Sequence, residues 1–129
     1  MKFRSGFISN SSSSSYVVVG WKKEDPNDCI RALAETYLSE TLQDTVNTAL
    51  EEGNLCYATH IIGRNAAMDR FDVIYIEEEH IYLIGAAIRV SECGLQEIND
   101  VEIEKVIGNM IQVLSWDMPP KVYAGTTYS

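Results

Sequence analysis

A chain of 129 residues, 46% of them hydrophobic, is long enough for one domain with a substantial core and too apolar for wholesale disorder. Its formal net charge of −9 argues against a general nucleic-acid binder, because neutralising phosphates takes concentrated Lys and Arg, and it sets the body against anionic lipid surfaces. Three widely spaced cysteines, Cys29, Cys56 and Cys93, are odd in number and fit reduced thiols better than a disulfide framework.

The chain opens with a basic, serine-rich arm, residues 1–15, ahead of an expected single domain over 16–129. Through Lys23 there are four basic residues and no acid, so all 19 acidic residues follow it. Lys2 and Arg4 would suit the start of a signal peptide, but serines occupy the place of its apolar core. A run such as Ser11 to Ser15 is by default a hydrated linker. Phe3, Phe7 and Ile8 are apolar, however, and a free tail has no use for them. The arm is therefore expected to dock, with Lys2 and Arg4 against acidic surface, on this chain or a neighbouring subunit.

Tyr16 to Trp21 is β-branched and aromatic and reads as a strand covered on both faces. From Asp25, a cap, and Pro26, suited to a first helical position, apolar residues recur at helical spacing from Ile30 to Leu50, and Gly53 supplies the stop. This predicts a long helix broken near Ser39. Leu55 to Ile62, Asp72 to Glu77 and Ile81 to Val90 read as strands, the last two as a hairpin turning through Glu78 and Glu79 without a Gly or Asn. A second helix is expected from Asp100 to Trp116, with Asn99 and Glu102 at capping-box spacing, ended by Pro119 and Pro120. Lys121 to Thr126 completes the order β-α-β-β-β-α-β. The expected fold is α+β, a mainly antiparallel sheet of about five strands with two helices on one face. The most apolar stretch, His80 to Ile88, is less than half the roughly 20 residues a spanning helix needs.

Cys56 and His60, four apart on a presumed strand, share a face with roughly 13 Å between them, too far to grip one ion even with His80 and Cys93 added. No metal and no cofactor are expected. A cysteine nucleophile has one candidate in Cys29, near a helix start where a thiol pKa is lowered, but no nucleophile motif surrounds it. Arg64, Asn65 and Arg70 bracket a loop of small residues that would hold a nucleotide-like anion, although the phosphate-binding glycine patterns are absent. The end of the chain, "KVYAGTTYS", is uncharged past Lys121 and reads as an interface strand or a free sheet edge.

Arg4-Ser5-Gly6-Phe7-Ile8-Ser9-Asn10, the five serines and Tyr16 resemble the R-x-G-F-V/I-S-N-S-S-S-S-S-F/Y opening of small proteins of tailed bacteriophages and some bacteria. The resemblance covers about residues 2–18, with tyrosine where phenylalanine is more usual. It implies a phage-type accessory protein of the host cytoplasm or the virion, and it carries over no catalytic residue. The expected function is self-association or binding of another phage or host protein rather than catalysis, with neither nucleic acid nor membrane as partner. The other reading is a counter-defence protein that captures an anionic ligand through Arg64, Asn65 and Arg70.

Overall fold

The computed structural model describes residues 14–90, 100–114 and 118–127. In chain order these form β1 (Ser14–Lys23), α1 (Asn27–Tyr37), α2 (Glu40–Glu51), α3 (Leu55–Asn65), β2 (Phe71–Ile76), β3 (Ile81–Val90), α4 (Asp100–Leu114) and β4 (Lys121–Thr127). The strands make one sheet in the order β2-β3-β1-β4, with every neighbouring pair antiparallel. The fold is α+β, as expected, but the described residues hold four strands rather than about five and four helices rather than two. β1 begins inside the serine run, so Ser14 and Ser15 belong to the sheet.

Two helix boundaries fall close to the expected places, but Pro26, expected at the first helical position, is instead the N-cap of α1. The long helix does break at Ser39: Leu38 is extended, and the Ser39 hydroxyl accepts from the Leu42 N–H at 3.4 Å to start α2. Asp25 Oδ1 accepts from Asn27 N–H at 2.9 Å, which places the start of α1 just beyond Pro26. Gly53, at φ 76, then ends α2.

The segment Leu55 to Ile62 is the main correction, since it is helical, the first part of α3. Tyr57, Thr59, Ile61 and Ile62 favour strands locally, but Asn54 caps a helix by accepting from Tyr57 N–H at 3.2 Å. Ala58, Ile61 and Ile62 fall at i, i+3 and i+4, and all three are buried against the rest of the helical layer. Tertiary burial of that stripe overrides β propensity. The β2–β3 hairpin forms as expected; its turn finds its left-handed residue in His80, at φ 54, instead of a glycine.

Strand alternation divides the sheet into two apolar faces. Trp21, Ile84, Ala86, Phe71 and Val73 point to the side where all four helices contribute to one cluster, including Ile30, Leu33, Val46, Ile62, Val106 and Met110. Each such fully buried side chain contributes about 1.5–3 kcal/mol. Tyr16, Val18, Ile74, Leu83 and Ala87 form a second cluster on the opposite side, to which none of the described helices contributes.

Candidate functional site

β4 lies at one edge of the sheet, paired with β1 from Ser14↔Thr127 to Gly20↔Lys121. Its approach is fixed by Trp21, whose indole N–H donates to the Met118 carbonyl at 2.8 Å. Pro119 and Pro120 follow and cannot extend a helix, so the chain enters the strand directly at Lys121. Among the described residues no strand pairs with the outer side of β4, and near it Val122 is 69% exposed and Met118 61%. Past Lys121 the strand has no charge and no proline, the usual protections of a free edge.

Beside the edge, Trp21, Lys22, Met118, Pro119, Lys121 and Tyr123 line a recess of about 340 Å³. Lys22 Nζ lies 5.7 Å from the centre of the Tyr123 ring and 2.8 Å from Glu79 Oε1. The hydrogen bond and negative charge of Glu79 raise the Lys22 pKa above its ordinary value. The edge thus combines apolar walls with two lysines on a chain whose net charge is strongly negative.

The other edge, β2, is better guarded. Asp72 lies within it, Asp69 precedes it and Glu77 follows it, and α3 packs alongside. Its exposed Tyr75 is also engaged, with its ring centre 4.9 Å from that of Tyr82 and its hydroxyl 3.2 Å from His80 Nδ1.

No protein-family model, curated protein or solved structure matches this chain. The reading of the site therefore rests on its own geometry.

Of the residues suggested for an anion site, Arg64 is exposed in the last turn of α3. Asn65 donates its side-chain amide to the Ile61 carbonyl at 2.9 Å, and Arg70 Nε donates to Glu102 Oε1 at 3.1 Å. Arg70 already has an anionic partner within the chain, which reduces the positive field it offers a ligand. A groove of about 390 Å³ between α2 and α3 is lined by Thr41, Asp44, Thr45, Thr48, Ala49, Glu52 and Tyr57, and its two carboxylates disfavour anions.

Helical α3 changes the relation of Cys56 to His60, which are one turn apart rather than 13 Å along a strand. Among the described residues no group of three or more His, Cys, Asp and Glu is arranged to hold a metal ion. Cys29 also departs from expectation: burial in α1 pushes its thiol pKa up to about 11, the opposite of activation by a helix start. No helix of the described residues is long and apolar enough to cross a membrane. Lys2, Phe3, Arg4, Phe7, Ile8, Cys93 and Asn99 lie outside the described residues. The strand over Lys121–Thr127 was visible in the uncharged tail, whereas the recess was not, because Trp21 meets Met118 and Pro119 only through the fold.

Proposed function

We propose that this protein acts by associating with a second copy of itself through the β4 edge, and that its role is binding rather than catalysis. The observation that carries this reading is the outer side of β4, which no strand among the described residues pairs with, together with exposed Val122 and Met118 near it. The strand is suited to antiparallel pairing about a two-fold axis at Ala124. In that register Lys121 faces Thr127 of the second copy, Val122 faces Thr126, and Tyr123 faces Gly125, so no like charges are opposed and an aromatic residue lies against a glycine. Pairing would join two four-stranded sheets into one of eight, with the backbone groups of both edges satisfied. The class of protein, a phage-type accessory factor of the host cytoplasm or the virion, rests on the resemblance of the opening motif.

Light scattering on the full chain and on Val122→Lys tests the association. The side chain at 122 is largely in solvent, so lysine there leaves the stability of the single chain within about 0.5 kcal/mol. The wild type is expected at twice the chain mass and the variant at the chain mass. A wild type that stays monomeric at its highest soluble concentration, or a variant that associates equally well, overturns the reading. Because each copy is strongly acidic, association should strengthen with added salt, which screens the repulsion between the two bodies.

A further inference from the structure

Val18, Gly20 and Lys22 alternate onto one face of β1, and Gly20 stands opposite Gly85 in β3 and opposite Lys121 in β4. β1 therefore presents no side chain between Val18 and Lys22, at the point where Lys121 lies alongside. The recess of about 340 Å³ next to this point has four apolar or aromatic lining residues, Trp21, Met118, Pro119 and Tyr123. Trp21 is buried, and its indole N–H is satisfied by the Met118 carbonyl at 2.8 Å, which ties that wall to the strand entrance. Met118 is exposed and Tyr123 half-buried, so both have surface to give to a ligand. The charged groups of the lining are the ammoniums of Lys22 and Lys121. Lys22 Nζ lies 2.8 Å from Glu79 Oε1, whereas among the described residues Lys121 has no ion-pair partner. Two ammoniums less one carboxylate leave a single net positive charge at the recess. A mainly apolar cavity of about 300–1,000 Å³ with a few convergent polar groups is the usual make-up of a small-molecule site, and this recess is at the small end of that range.

We propose that this recess binds a small carboxylate that carries a flat apolar ring, with the ring against Met118, Pro119 and Tyr123 and the carboxylate at Lys121. Removing the ring from water supplies the affinity, and a thioether beside an aromatic wall is a favourable partner for a second ring. The charge decides the anion. A phosphate monoester brings about −1.5 to −2 charges at neutral pH, more than the recess can balance, next to Glu79 and on a body whose net charge is −9. A carboxylate brings one. Lysine is a compact point charge without the fixed fork of arginine, so Lys121 selects the sign of the ligand while the apolar walls select its shape. The groove between α2 and α3 offers Asp44 and Glu52 instead and repels the same ligand. All six lining residues belong to one chain, so the site is independent of association through β4, and the two respond to salt in opposite ways: screening strengthens the association of acidic bodies and weakens capture of an anion.

Titration of the full chain with 2-naphthoate, followed by NMR of the methionine methyl groups, tests the proposal. Met118→Leu identifies the Met118 signal, and Met68 and Met110, both fully buried in the helix-side core, are internal references. Met118 is expected to shift while Met68 and Met110 stay in place, with a dissociation constant of about 1 mM or tighter. 2-Naphthamide, which keeps the ring and loses the charge, should bind about two- to fivefold more weakly, and Lys121→Gln should weaken 2-naphthoate by the same factor while leaving 2-naphthamide unchanged. Acetate should leave Met118 in place. The proposal is overturned if Met118 does not shift up to the solubility of the acid, if acid and amide bind equally, if Lys121→Gln spares the acid or weakens both probes alike, or if acetate shifts Met118 as far as 2-naphthoate does. Light scattering on the same samples reads the association separately, so either result can fail without the other.

Discussion

Replacing Gly20 with alanine adds a single methyl group at the centre of the sheet. Gly20 is not among the positive-φ residues, so alanine suits its backbone and the conflict is purely steric. The new Cβ would collide with the Ile84 carbonyl and lie 2.9 Å from the Gly85 Cα, and neither is a flexible side chain that can swing aside. β1 and β3 must separate locally. Overpacking costs about 1–3 kcal/mol. Weakening two neighbouring ladder hydrogen bonds adds about 1–3 kcal/mol. Alanine restricts the unfolded chain and returns about 0.4–1 kcal/mol. The net loss is about 1–5.6 kcal/mol, a large share of the roughly 5–15 kcal/mol that holds a typical domain together. Gly108→Ala is the matched control: nothing lies within 4 Å of a Cβ there, and the position is inside α4, so alanine should stabilise by about 0.5–1 kcal/mol. Urea denaturation of both variants measures the difference. If Gly20→Ala is as stable as wild type, or if both changes shift stability in the same direction, the close approach of β1 to β3 is wrong.

The Cys29 thiol, pushed from 9.0 up to about 11 by burial, holds its proton at pH values where the unfolded chain has released it. Its contribution is therefore complete below about pH 9 and declines as pH rises toward 11, by roughly 2–3 kcal/mol in all, and Cys29→Ala should lose less stability over that window in denaturant titrations. Under native conditions Cys56, exposed on α3, should alkylate well before buried Cys29, as peptide mass mapping would show. Trp21→Phe keeps an aromatic ring in the core but removes the donor to the Met118 carbonyl. A cost of about 1–2 kcal/mol is expected, with amide exchange accelerated in β4 more than in β2.

Much of the fold was legible because local signals agreed with burial. The β-branched run of β1, the serine cap between α1 and α2, the stripe of α4 and the paired apolar runs of β2 and β3 each carry a period that one kind of element satisfies. α3 was not legible in the same way. Its apolar run is short, adjacent Ile61 and Ile62 fit either period, and the choice is made by the Asn54 cap and by contact with α1, α2 and β2. The same limit applies to the site. The absence of charge along β4 can be read directly, while the meeting of Gly20 with Gly85 depends on a register between residues far apart in the chain.

That register also governs the order in which the chain can assemble. β1 is translated first among the strands, yet Val18 finds its neighbours in Ala87 and Tyr123, so both of its ladders wait for much later segments. At about 5–20 residues per second of synthesis, the first of these partners arrives seconds after β1 itself. During that interval Tyr16 to Trp21 is an unpaired, aggregation-prone segment, flanked by hydrophilic serines on one side and by Lys22 and Lys23 on the other. Those flanks act as gatekeepers for a nascent strand, and the non-local pairing they protect should make folding slow for a chain of this length.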